Sequence, residues 1–304
     1  VLLYVAVNYA KFGTLLSAPL EKQDVLARIS PRRRAALAAT GNSLFGFEYI
    51  PTNLVQYLRP DGIGFRITFP WITFSRPPHI FGGAVYDNIE VSASITATST
   101  FLVLLCIPGV VSMVRSRADA VPSVAVFRIP LLSAALATSS TVAIAVIFQR
   151  YEGDFVPVLV LGAAPGLAWL GAWLVHRRWW TQGAVAVVLT LCALWTLWAT
   201  TSVTLIYQRE VSAFQSAEAR AKFLDFQLDV NGRLGLAAPT VRRGPRLPES
   251  REWTLSGNPP QGELFVVGDC RRLYISTGQG WELVERRIAG FVGSPLCDRL
   301  TVRG

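Results

Sequence analysis

Four stretches of this chain carry no charged side chain: residues 93–114, 129–148, 155–175 and 183–206. Each has roughly the twenty residues that cross a bilayer's hydrocarbon core, so the pattern predicts four transmembrane helices. Pro108 and Pro165 lie inside two of them, which membrane helices tolerate better than soluble ones do. Residues 1–10 are equally apolar but reach only about half a span. They read as the tail of a further transmembrane helix, and the chain as the C-terminal portion of a longer polytopic protein.

The other segments alternate. In residues 11–92, Ser30 as N-cap, Pro31 at the first helical position and Gly41 as the stop predict a helix. A second helix is expected over 51–58, ended by Arg59-Pro60-Asp61-Gly62, with Leu54, Val55, Tyr57 and Leu58 suited to the bilayer surface. Residues 65–74 and the Pro77-Pro78 turn are aromatic-rich and too broken to span. Past the last span, Val211, Phe214, Ala217, Ala221, Leu224 and Leu228 recur at helical spacing. That predicts an amphipathic helix continuing off the membrane and stopping at Asn231-Gly232. A Pro/Arg/Gly linker follows, then alternating segments over 263–267, 272–277 and 280–286 that read as short strands.

The fold class expected is thus an α-helical polytopic membrane protein with four complete transmembrane helices, a partial one and a small β-rich exterior domain. Its units are 1–10 (helix end), 11–92 (exterior loop with interfacial helices), 93–206 (the four-helix region), 207–233 (amphipathic helix), 234–252 (linker) and 253–304 (β-rich domain).

Composition supports the membrane reading. Of 304 residues 51% are hydrophobic and 16% charged, where a soluble domain carries about a quarter charged. The net charge of +9 sits mainly at span ends and in the C-terminal region, with no basic stripe interleaved with aromatics, so nucleic acid is not an expected partner. Arg115, Arg117 and Arg128 in one short loop, and Arg177, Arg178, Trp179 and Trp180 in another, place both loops in the cytoplasm by the positive-inside rule. The turn 150–154, the loop 11–92 and the C-terminal region then face outside. The arginines at 32–34 do not overrule this, because long translocated loops are largely exempt. Cys106 and Cys192 fall mid-span, where a thiol is a small hydrophobe. Cys270 and Cys297 fall in the exterior domain, where a disulfide between them is expected. As a zinc pair they lack two further ligands, since His79 and His176 belong to other segments.

The candidate chemistry is concentrated at residues 149–157, where Arg150, Tyr151, Glu152 and Asp154 sit between two spans. Interfacial ionisable groups are functional candidates by default. No phosphate loop, serine elbow or metal signature accompanies them. Two motifs at this face form a pair: Asn8-Tyr9-Ala10-Lys11-Phe12-Gly13 leaving the first apolar run, and Arg150-Tyr151-Glu152-Gly153-Asp154-Phe155-Val156-Pro157. Together they resemble the C-terminal half of actinobacterial polytopic membrane proteins related to the type C glycosyltransferase superfamily, over residues 1–206. The resemblance implies sugar transfer from a polyprenyl-phosphate-linked sugar to a cell-envelope glycan outside a bacterial plasma membrane. In that superfamily the acidic catalytic residue lies in an exterior loop upstream of what this chain contains, so no catalytic residue is carried over. The cofactor is left open: a divalent metal is compatible with such chemistry, and no ligand set for one is visible.

Arg150 suits a lipid-linked phosphate, because a guanidinium can bind two phosphate oxygens in a fork. Tyr151 could add a hydrogen bond, Asp154 could orient the arginine or a sugar hydroxyl, and Lys11 could add a point charge. Anchoring of a helix end explains arginine and tyrosine equally well with no ligand. Glu152 is expected to be solvated. Phe69, Trp71 and Phe74 could stack on sugar rings or anchor at the interface beside membrane lipids. A non-catalytic scaffold for envelope assembly is the main alternative. A transporter ranks below both, since the spans carry no charge.

Overall fold

The computed structural model describes residues 9–10, 31–41, 43–75, 78–115, 124–211, 217–236, 240–243, 264–267, 272–276, 281–286 and 301–303. Its main helices are α1 (Pro31–Ala39), α2 (Ile50–Leu58), α3 (Thr100–Arg115), α4 (Arg128–Val142), α5 (Val156–Val175), α6 (Trp179–Ile206) and α7 (Ala217–Arg233). This is a membrane protein: three helical stretches, Val124–Val142, Gln149–Val175 and Trp179–Glu210, are long and apolar enough to cross a bilayer.

Three of the four apolar runs thus fall in helices of spanning length, and the first run does not reach it as one helix. It yields α3, 16 residues long, preceded by the single turn Ile95–Thr98 and by extended backbone. Val91, Ala93 and Ile95 are buried in protein, so this end of the run is apolar because it is core. The second run does contain a spanning helix, but its end is corrected. Its helix stops at Val142, and Val146–Ile147 form strand β4, parallel to β3 (Asn88–Ile89). On its other side, Ala145 N–H donates to the Leu44 carbonyl and Gly46 N–H to that of Ala143. Residues 143–147 are therefore the middle strand of a small buried layer. Its β-branched Val and Ile suit that role, and hydropathy cannot tell it from a lipid-facing segment.

α1 and α2 roof this layer. Gly41 ends α1 with a positive φ of 63°, as its sequence position predicts; Ser30 lies outside the described residues. α2 is oriented against ordinary amphipathicity. Thr52, Asn53, Gln56 and Tyr57 are buried, whereas Leu54, Val55 and Leu58 are exposed. Thus Tyr57 does not belong to the outward apolar face. The polar side chains turn inward because the layer offers backbone groups that no helix or strand satisfies. Asn53 Nδ2 donates to the carbonyls of Val142 (3.0 Å) and Ile144 (2.9 Å), where α4 has ended. Gln56 donates to the Ser92 carbonyl at 2.7 Å, and the Tyr86 hydroxyl to Asn53 Oδ1 at 3.0 Å.

The spanning helices meet by different means. α3 and α5 touch backbone to backbone: a Cβ on Gly109 would overlap the Gly162 carbonyl, and one on Gly166 the Leu105 carbonyl. Gly162-x-x-x-Gly166 is the small-residue spacing that lets membrane helices approach this closely. α6 instead docks through side chains. Trp195 Nε1 donates to the Ala97 carbonyl, Thr200 to that of Thr98, and Thr196 Oγ1 accepts from Phe101 N–H. These pairs satisfy the backbone where α3 begins, at a depth where water is scarce.

Residues 63–74, most of them in the stretch read as too broken to span, form the hairpin β1 (Ile63–Phe65) and β2 (Ile72–Phe74). Trp71 adopts a left-handed φ of 62°, a strained position for a large side chain. Around it, Arg66 pairs with buried Glu210 at 2.8 Å and donates to the Phe69 carbonyl. Gln227 donates to Glu210 and to the Phe69 carbonyl, and Asn231 bonds the Ile67 carbonyl and Phe69 N–H. The buried face of α7 includes Phe223, Leu224, Gln227, Leu228 and Asn231; Leu224 and Leu228 were expected there. The helix ends at Arg233, two residues past the expected stop at Asn231. Strands β5 (Thr240–Arg243), β6 (Leu264–Val267), β7 (Arg272–Ser276), β8 (Trp281–Arg286) and β9 (Thr301–Arg303) pair in the order β8-β7-β6-β5-β9. β5 lies in the stretch expected to be a linker, parallel to both β6 and β9.

Candidate functional site

The turn at Gln149–Phe155 is a 3-10 helix that runs directly into α5, with Pro157 near the helix start. Every second or third side chain in it is tied to a different neighbour. Gln149 Oε1 accepts from Ala93 N–H at 2.7 Å. Asp154 Oδ2 accepts from the Thr141 hydroxyl, and the Asp154 carbonyl from that of Thr138, both at 2.7 Å. Phe155 is buried against Tyr57, with ring centroids 5.4 Å apart. Asp154 therefore secures the turn to the end of α4 instead of reaching toward Arg150.

Arg150 is exposed, and its guanidinium lies 4.5 Å from the Phe148 ring centroid and 5.4 Å from that of Tyr151. Stacking on two aromatic faces holds the planar cation while leaving its N–H edges free. Among the described residues no carboxylate forms an ion pair with it. Tyr151 contributes its ring to this support, tilted on Phe148 at 5.4 Å. Lys11, Cys270 and Cys297 lie outside the described residues.

Glu152 departs from its expected solvated position. Its Oε2 accepts from Thr98 at 3.2 Å, while Oε1 is buried without a hydrogen-bond partner. The turn presses this side chain inward between the Ile95–Thr98 turn and α2, and Gln149 faces it. Tyr57, on α2, has its hydroxyl pushed well above the usual range, first by burial and then by the nearby Glu152 carboxylate. The Phe148 backbone works against that shift.

Sequence reasoning missed two further members. Tyr207, just past the end of α6, donates to Glu90 Oε2 at 2.8 Å, and the Arg150 charge reaches its hydroxyl. Phe74 packs edge-on to the same ring. Glu90 is fixed by its own N–H to the Ile147 carbonyl, at the end of the β3–β4 pairing. The available signal was position: Glu90 precedes the first apolar run and Tyr207 follows the last one. Three distant segments thus converge, presenting an exposed guanidinium with no carboxylate partner among the described residues, a phenol–carboxylate pair and a phenyl ring. Among the described residues no group of three or more His, Cys, Asp or Glu is placed to hold a metal. The arrangement can bind an anionic group through Arg150 and hydroxyl donors through Glu90. No protein-family model, curated protein or solved structure matches this chain.

Proposed function

We propose that this chain is part of a membrane glycosyltransferase-like protein that uses a polyprenyl-phosphate-linked sugar to extend a cell-envelope glycan, with Arg150 holding the donor's phosphate. The observation carrying this reading is the exposed guanidinium stacked on Phe148 and Tyr151, with no carboxylate paired to it among the described residues. An arginine that only anchors a helix end needs no such support. One that must meet a phosphate in a fixed orientation gains from it, because less freedom is lost on binding. Glu90, oriented by Tyr207, is the acceptor for a sugar hydroxyl beside the phosphate. In this reading the turn, the segment 11–92 and the C-terminal strands face the outside of a bacterial plasma membrane. α3 completes a fourth span together with Ile95–Thr98, Lys11 adds positive charge at the same face, and Cys270–Cys297 ties a small exterior β-rich domain.

The test is sugar transfer from polyprenyl-phosphate donors in membranes containing the protein. Arg150→Ala is expected to lower transfer by roughly tenfold or more, the size of one or two charge-assisted hydrogen bonds. Arg150→Lys should fall between, keeping the charge without the fork. Transfer unchanged in both variants, at normal expression, would reduce Arg150 to a membrane anchor.

A further inference from the structure

α7 does not lead away from the membrane. Its first turn meets the end of α6, where Arg220 Nε donates to the Glu210 carbonyl at 3.1 Å. Gln227, two turns on, still reaches Glu210 and also Phe69. Asn231 then bonds the Ile67 carbonyl and Phe69 N–H. The Phe69 ring packs on Phe226 of α7 at 5.6 Å and on Trp198 of α6 at 5.9 Å. Trp198 precedes Glu210 by twelve residues, and Asn231 follows Arg220 by eleven, so each interval covers about 16–18 Å of helix axis. α7 therefore runs back antiparallel to α6, with the hairpin between them. The helix expected to continue past the last span instead turns back alongside it.

The depth this reaches is set by α6. Phe65 lies 6.3 Å, ring to ring, from Trp195, which belongs to the membrane-crossing stretch. On the same turns of α6, Leu194 and Leu197 are 57% and 66% exposed, as lipid-facing side chains of a span must be. Beside them the hairpin exposes Phe65 (74%) and Ile67 (59%), and the end of α7 exposes Phe226, Leu234 (58%) and Leu236. A water-facing hairpin tip and helix end would not present five large apolar side chains, one of them, Phe65, packed beside Trp195 of a span. Arg233, at the close of α7, is paired with Asp229 at 2.9 Å, so the charge at this end is balanced within the helix.

We infer that the hairpin tip and the C-terminal end of α7 form a foot embedded in the lipid of the leaflet that carries the Arg150 turn. Bilayer lipid is the occupant because the patch is continuous with the exposed leucines of α6. The buried Arg66–Glu210–Gln227–Asn231 network is the rigid frame that pins the foot to that helix. One consequence is that the strand segment after Leu236 starts at the membrane surface. The inference does not depend on what Arg150 binds.

Nitroxide labels at Phe65→Cys, Ile67→Cys and Leu234→Cys, in otherwise cysteine-free protein in phosphatidylethanolamine/phosphatidylglycerol vesicles, test it. Leu194→Cys is the lipid reference, and Asp61→Cys, on an exposed turn, is the water reference. The ratio of collisions with oxygen to collisions with a water-soluble nickel chelate is expected to resemble that at residue 194. It should exceed the ratio at residue 61 several-fold. Ratios matching residue 61 would overturn the foot, and so would labels shielded from both colliders, since these would mean coverage by protein. A label that disturbs the hairpin is checked by residue 234 at the end of α7, and one that disturbs α7 by residues 65 and 67 on the hairpin.

Discussion

The α3–α5 seam and the layer roofed by α2 are equally apolar in sequence and are built on opposite principles. At the seam, Gly109, Gly162 and Gly166 bring two backbones into contact, and close packing holds the helices together. In the layer, Asn53, Gln56 and Tyr86 are buried and hydrogen-bonded to main chain that leaves its helix or strand unsatisfied. Inside a bilayer helices already satisfy their own backbone, so association depends on shape. At the membrane face the chain bends, helices end, and buried polar side chains become necessary. Apolarity along the sequence does not tell the two apart.

The largest expected effect lies at the seam. Gly166→Leu places a side chain where the Leu105 carbonyl stands and should force α3 and α5 apart. The loss is expected at the upper end of overpacking costs, about 3 kcal/mol. Gly171, on the same helix, has open space around its Cβ position, so Gly171→Leu is the control. Unfolding of both in mixed detergent–SDS micelles should show a large loss for the first and little for the second. Equal losses would mean that the seam is not held by close approach.

That contrast also explains which elements were legible beforehand. The third and fourth apolar runs, 155–175 and 183–206, correspond to α5 and α6, whose starts shift by one and four residues and whose C-terminal ends coincide. These helices have lipid on most sides, so apolarity and span coincide. The run 129–148 misled because Ala145, Val146 and Ile147 are apolar for a different reason, burial between two strands. α2 was found from its turn signals, but not its facing, since the rule that polar residues face outward assumes water outside. At the candidate site the cluster Arg150–Asp154 was visible as a local concentration of charge. Its partners Thr98, Glu90 and Tyr207 lie more than fifty residues away, and spacing along the chain carries no trace of that convergence. Glu152 was misplaced because a carboxylate in a polar turn gives no local sign of the pocket into which the fold presses it.

An intermediate effect is expected in the roof. Asn53→Leu keeps the branched shape of asparagine but leaves the Val142 and Ile144 carbonyls without their donor. The Tyr86 hydroxyl also loses its Asn53 acceptor, though it keeps the Tyr49 carbonyl. A loss of about 2 kcal/mol follows if the groups stay dry. Hydrogen exchange should localise the damage: amides of α2 and the β3–β4 pair open more readily, while those of α5 do not change. Uniform loss of protection across α5 would show instead that roof and seam unfold as one unit.

The smallest effect should come from the outer face of the same helix. Val55 sits two positions from Asn53 and is 46% exposed, with Leu54 and Leu58 beside it. In detergent micelles Val55→Ser removes no packed contact of consequence, so stability should stay within about 0.5 kcal/mol of the parent. Had α2 the ordinary orientation, Val55 would be core and the same change would cost more than the Asn53 substitution. Measuring the two variants side by side therefore reads the facing of the helix directly. A larger loss at Val55 than at Asn53 would reverse the orientation and, with it, the account of how the end of α4 is satisfied.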